Sequence, residues 1–241
     1  MHDTNGTECR TEGGCGRLVS TANEVKPRSP RIGRQLATSH AELSHIALQL
    51  FIEHGFDQTT VDDIAATAGI GRRTFFRYFA SKNDLPWGDF ENLLERMRQF
   101  LVSLRSDMPL VEALRAAVIE FNRLPIEEIP YHRQRMELLL NVPTLMAHST
   151  LRYAAWRQVV AEYVAHRLDV AEDSLEPQAI AWAILGICLS AYEQWLKRDD
   201  ADLLALLNTA FRVLHSAFDP QNPRNSTTHG VTFDTTHAVL L

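Results

Sequence analysis

Residues 68–82, AGIGRRTFFRYFASK, set three arginines (Arg72, Arg73, Arg77) among four aromatics (Phe75, Phe76, Tyr78, Phe79), just after Gly69 and Gly71. Two chemistries use such a mixture. Glycines ahead of a helix can cradle a phosphate on backbone N–H groups. Arginines on an exposed helix face can bond guanine O6 and N7 in a major groove, with apolar groups against thymine methyls. The first fails on context. A dinucleotide fingerprint needs a third glycine and a preceding strand, and GIGRRT has neither; no GxxxxGK[ST] run occurs. The second survives. Phe75 and Phe79, four residues apart, share one helix face and can anchor it, which turns Arg72, Arg73, Phe76 and Arg77 outward.

Those side chains need a scaffold. No period-2 strand or NG/DG hairpin is evident, so the chain reads as all-α. A first helix is expected from about Ser39 to His54, with Leu43, Ile46, Ala47, Leu50 and Phe51 as its stripe and Gly55 as its stop. A second covers 61–68, with Thr60 as N-cap, Asp63 at the capping-box position and Asp62 favoured by the helix dipole. Gly69 supplies a positive φ in the turn, Ala65 is small enough for a close crossing, and a third helix covers 72–79. A long fourth helix is expected from Ser81 through Leu104, with Pro86 tolerated in its first turn. Further helices are expected at 110–123, 131–140, 144–168, 177–197 and 201–218, punctuated by Pro125, Pro130, Pro143 and Pro177, about nine in all. Residues 1–36 read as a disordered basic arm and 219–241 as a disordered tail.

The composition, 45% hydrophobic and 22% charged over 241 residues, is that of a soluble globular protein. No apolar run approaches the ~18 residues of a membrane span, and the polar first residues show no secretory signal. A cytoplasmic protein without a membrane partner is expected. Cys9 and Cys15 are not at zinc spacing; Cys188, in an apolar run, reads as a small core residue. The net charge of −6 hides an asymmetry: Lys26 to Lys82 hold eight basic and five acidic residues, whereas Asn83 onward hold fourteen basic and twenty-one acidic. A basic module on an acidic body suits a protein that offers one end to a polyanion. No HExxH, GxSxG or carboxylate–His metal spacing occurs, and the paired acids Asp62-Asp63, Glu127-Glu128 and Asp199-Asp200 sit at helix starts. Neither catalysis nor a metal or cofactor is expected. A helical dimer or interaction protein that binds no operator is the alternative from another class.

The stretch from about Ala37 to Met97 resembles the DNA-binding domain of TetR-type transcriptional regulators. The residues that carry the likeness are Gly55-Phe56, Thr59-Thr60-Val61, Ala68-Gly69-Ile70, Thr74-Phe75-Phe76 and Phe79-Ala80-Ser81-Lys82, at the family's spacing. Within that family, SKNDLPWGDF is similar to regulators associated with mycofactocin systems. The resemblance implies a three-helix DNA-binding domain over 37–97 (motif 60–79), followed by a larger ligand-binding and dimerisation domain over 98–218. It implies a repressor that binds a palindromic double-stranded DNA operator as a homodimer and is released by a small-molecule effector. Thr60 and Lys82 would hold backbone phosphates, and Arg72, Arg73, Thr74 and Arg77 would meet base edges. Tyr78 stands where relatives often have His and could offer its hydroxyl to a phosphate. Three residues depart from the pattern. Gly71 replaces a capping Ser or Thr, Phe76 replaces Tyr, and Arg73 replaces a small residue, so the operator cannot be copied from relatives. Arg28, Arg31 and Arg34 of the arm either enter the neighbouring minor groove or serve only solubility.

The body, 105–218, matches no motif of its own. The helix at 177–197 carries Ala179, Ala183, Gly186 and Ser190 at three- and four-residue steps, and the helix at 201–218 offers Leu207, Phe211 and Leu214. By resemblance these two helices, doubled, form a four-helix dimer interface; a purely internal core is the alternative. Phe100, Phe121, Met136, Leu140, Met146, Tyr153 and Trp156 could line a pocket, with Arg133 at its mouth. His132, Arg135, Arg152 and Arg157 could also meet an anionic headgroup there. The resemblance suggests a long-chain acyl-CoA as effector, with aromatic or drug-like molecules second.

Overall fold

The computed structural model describes residues 39–217, which all belong to one compact unit. The arm with Arg28, Arg31 and Arg34, the tail, Cys9 and Cys15 therefore lie outside the described residues. Nine α-helices and no strand occur among those described: α1 His40–His54, α2 Val61–Thr67, α3 Arg72–Tyr78, α4 Phe90–Ser103, α5 Leu110–Phe121, α6 Ile129–Asn141, α7 Pro143–Leu168, α8 Leu175–Leu196 and α9 Leu203–Ala217.

The first three helices begin and end for local reasons. Ser39 caps α1 by accepting from the Glu42 N–H at 3.1 Å, and Gly55, at φ 84°, ends it. Thr60 and Asp63 make the expected capping box on α2. Gly69 takes φ 71° in the turn, a conformation that suits a residue without Cβ. The Ile70 N–H then closes back on the Ala65 carbonyl at 2.9 Å.

The expected fourth helix from Ser81 to Leu104 is instead two pieces. Lys82–Trp87 form a 3-10 turn, and α4 starts only at Phe90. Pro86 cannot donate into a helical ladder, and Gly88, at φ 57°, redirects the chain behind it. The break places Trp87 between the first three helices and the body.

In the body α7, 26 residues long, packs along α8, and α8 packs along α9. By length and composition α8 is apolar enough to cross a membrane, contrary to the sequence expectation. Here it is a core helix, with Ala181, Ile184, Leu185, Cys188, Ala191, Tyr192 and Trp195 buried. Helix α9 buries Leu203, Leu207 and Phe211, a stripe at four-residue steps. Leu207 and Phe211 are thus core residues of one subunit, which corrects their assignment to a dimer surface. The α8 residues Ala179, Ala183, Gly186 and Ser190 do face outward, beside an exposed Trp182, and Leu214 is half-buried.

Candidate nucleic-acid interface and ligand cavity

Helix α3 separates its residues by face. Phe75 is fully buried and Phe79 nearly so, in one core cluster with Leu43, Ala47, Phe51 and Ile64. From α1, His40 holds the far end of α3: its Nε2 donates to the Tyr78 carbonyl at 3.1 Å, and its ring meets Tyr78 and Phe79 edge-on. Phe76, 45% exposed, lies on the outer side with Arg72, Arg73 and Arg77. Thr74 is half-buried, and its N–H donates to the Gly71 carbonyl at 2.8 Å. Gly71 begins α3 without a side-chain cap, at an ordinary φ of −84°, and a Cβ there would meet nothing.

The outward residues are not equivalent. Arg73 and Arg77 make no hydrogen bond or ion pair with any described residue. Arg72 is paired with Asp62 at 2.8 Å and lies over the Phe76 ring. Thr60 and Lys82, assigned by resemblance to phosphates, are engaged internally. The Thr60 hydroxyl donates to the Asp63 carboxylate at 2.6 Å, and its backbone N–H donates to the same oxygen at 2.9 Å. Those bonds hold the exposed Asp63 below the usual carboxylate range. The Lys82 ammonium donates to the Phe56 and Thr59 carbonyls at 2.7 and 2.9 Å and sits over the Phe56 ring. It fastens the loop between α1 and α2 rather than standing free, because that loop leaves carbonyls unsatisfied beside it.

The 3-10 turn connects this module to the body. Its Leu85 carbonyl accepts from Ser44 of α1 at 2.8 Å. Its Asp84 carboxylate takes His148 at 2.9 Å and Arg152 at 2.8 Å, both from α7. Burial raises the Asp84 pKa, but the bonds from Arg152, Ser81 and His148 and the Arg152 charge outweigh it and hold the carboxyl below its ordinary value. Trp87, at the end of the turn, lines a cavity in the body.

That cavity, about 100 Å³, is partly open to solvent and is lined by the 3-10 turn and α4 to α8. Phe121, Met136, Tyr153 and Trp156 line it, as their positions suggested. Arg133 does not: it stacks on Trp195 at 4.3 Å and donates to the Trp195 carbonyl at 2.8 Å. Leu140 and Met146 line an adjoining groove between α6, α7 and α8, which shares Leu139, Tyr153 and Leu189 with the cavity, and Phe100 lines another between α4 and α5, which shares Leu93, Phe121 and Leu124. These four are therefore corrected out of the cavity itself. The α6 residues that enter it are His132, Arg135, Met136 and Leu139. Their spacing of three, four and seven is that of one helix face, a signal already present in the sequence. Arg152 is spent on Asp84 and Glu91, and Arg157 lies 3.5 Å from the Trp182 ring centre. Also in the lining, the Tyr192 hydroxyl donates to Asn122 Oδ1, and burial pushes the Cys188 thiol up to about 12.

The family profile "Bacterial regulatory proteins, tetR family" matches residues 45–85, and the profile "MftR C-terminal domain" matches 108–219. MftR of Mycobacterium tuberculosis, a transcriptional regulator assigned to mycofactocin biosynthesis, is 43% identical over 81% of this chain and 99% of its own length. The chain belongs to the TetR family. Among solved structures, the fatty acid degradation regulator FadR from Bacillus halodurans superposes with a TM-score of 0.54 at 19% identity, over 71% of this chain and 95% of its own. FadR from Bacillus subtilis, in complex with stearoyl-CoA, gives 0.50 at 19% identity over 71% and 95%. At that identity the likeness concerns the fold. In this TetR-family chain the tetR profile spans the module of α1 to α3, and the MftR profile spans α5 to α9, which supply most of the cavity wall.

Proposed function

We propose that this TetR-family regulator is a repressor that binds a palindromic operator as a homodimer through α3 and is released when a small molecule fills the cavity. The single observation behind this reading is the partition of α3, whose anchored aromatic side leaves Arg73 and Arg77 unpaired on the surface. Such guanidiniums suit bidentate contacts to guanine. Arg72, Thr74 and Phe76 border them and would complete the reading surface, and Gly71 and Tyr78 mark its two ends. The outward face of α8, with Ala179, Ala183, Gly186 and Ser190, is the proposed subunit contact; small residues allow close helix approach there. Release would run through the 3-10 turn: a ligand that displaces Trp87 moves a segment tied to α7 by Asp84 and to the α1–α2 loop by Lys82. A ligand shifts operator affinity only by its preference for one of the two arrangements.

A long-chain acyl-CoA remains the effector suggested by kinship, and the stearoyl-CoA complex of the B. subtilis FadR supports it. The cavity of about 100 Å³ can hold such a chain only together with a flanking groove, and both grooves share lining residues with it. That volume, below the roughly 300–1,000 Å³ typical of drug-sized sites, favours a compact aromatic molecule as a second reading. A gel shift with the DNA upstream of the gene tests the whole proposal when repeated with acyl-CoAs of graded length and with aromatic compounds. Specific retardation, relieved by one class, is expected. Absence of specific retardation sinks the repressor reading.

A further inference from the structure

Four polar groups of the cavity lining have no hydrogen-bond partner: Trp87 Nε1, His132 Nε2, Arg135 Nε and Tyr153 OH; Asn122 and Tyr192, which also line it, satisfy each other. Tyr153 lies near Ser149, which donates instead to the Leu145 carbonyl at 2.7 Å. Arg135 carries the argument, because no described residue makes an ion pair with it. The acid that acts on it, Glu128, is bonded to His45 at 3.1 Å. Burial pulls the guanidinium below its ordinary value although the Glu128 charge opposes it, and a largely buried cation without a bonded counter-ion is destabilising. His132 stays neutral beside it, since burial and the Arg135 charge push it down to about 3. Native folds satisfy nearly all enclosed polar groups. Among the described residues six buried side-chain atoms are unsatisfied, and four of them line this one cavity, Gln134 Oε1 and Arg157 Nε being the others.

We infer that the cavity takes a compact apolar carboxylate, with its oxygens received by Arg135 and the His132, Tyr153 and Trp87 donors and its hydrocarbon body by the surrounding wall. This rests on the reading of the cavity as the effector site and narrows what the effector carries. A carboxylate brings both the negative charge and the several lone pairs that these groups lack. A thioester carbonyl brings one neutral acceptor and leaves the guanidinium uncompensated.

The test is thermal unfolding of the full-length protein with benzoate, phenylacetate, octanoate and decanoate, with their primary amides, and with octanoyl-CoA. Operator gel shifts run in parallel. At least one acid should raise Tm while its amide does not. Arg135→Met should weaken acid binding about tenfold or more and raise the ligand-free Tm by a few degrees, because it removes the unpaired charge. Arg135→Lys keeps a charge and should keep part of the response, which separates recognition from misfolding. Amides that bind as tightly as acids, acid binding that survives Arg135→Met, or no response to any acid would each overturn the assignment. Octanoyl-CoA binding indifferent to Arg135 also overturns it but leaves an effector-released repressor standing. Acid-dependent Tm shifts without any operator binding would sink the repressor and keep the carboxylate site.

Discussion

Helices α3 and α6 both carry arginines without partners, and they use them in opposite surroundings. On α3 the aromatics turn inward and Arg73 and Arg77 face water. On α6, Arg133 and Arg135 are two residues apart, which is more than half a turn of an α-helix. They diverge accordingly: Arg133 lies on Trp195, and Arg135 enters the cavity. Water solvates an unpaired surface guanidinium at no cost to the fold, whereas the buried Nε of Arg135 has no partner. The outer pair is therefore open to an extended polyanion in a salt-dependent way. The inner one suits a single small anion shielded from salt.

Removing the inward side of α3 should have the largest effect. Phe75→Ala, at a fully buried position, should destabilise the fold by about 3–5 kcal/mol in urea titrations. Phe76→Ala, one residue on, should leave the urea midpoint nearly unchanged. Equal losses from both would erase the two-faced description of the helix. Next comes the outward side. Arg77→Ala should weaken specific operator binding by about 1–3 kcal/mol and lower the salt slope by about one; an unchanged gel-shift affinity would remove Arg77 from the reading surface.

The link between the two regions should respond to acid. The folded Asp84 pKa is depressed, so its stabilisation is present above the unfolded value near pH 4 and is lost as pH falls through the folded one. Asp84→Asn should cost about 1–2 kcal/mol at pH 7 and flatten that acid limb. A variant with an unaltered limb would show that the clamp to Arg152 and His148 contributes nothing. The smallest effect belongs to Gly71→Ser, which places a capping hydroxyl where a Cβ meets nothing. Calorimetry should show a gain of a few tenths of a kcal/mol, and a loss would mean that α3 does not start at Arg72.

Much of the DNA-binding module was legible because its signals are local. A capping box needs only Thr60 and Asp63, a left-handed turn only Gly69, and a two-faced helix only the spacing of Phe75 and Phe79. The break at Pro86 and Gly88 was missed because a proline in a first turn is compatible with either outcome. The body was read less well for a different reason. Leu207 and Phe211 have the residue types of an interface or a core, and only packing against α5 and α8 selects the core. Phe100, Leu140 and Met146 have the types of a pocket wall, yet they line surface grooves.

The sequence by itself determined the helical elements, their caps and the two faces of α3, because each depends on residues within one or two turns of each other. Tertiary structure alone decided which charges remain unpaired. Lys82 is consumed by carbonyls more than twenty residues away in the chain, and Arg152 by Asp84 from another helix. Arg135 makes no ion pair with a described residue, and Glu128, whose charge acts on it, bonds His45 instead. A side chain's type names the bond it can make, and only the folded chain determines whether a partner has already taken it.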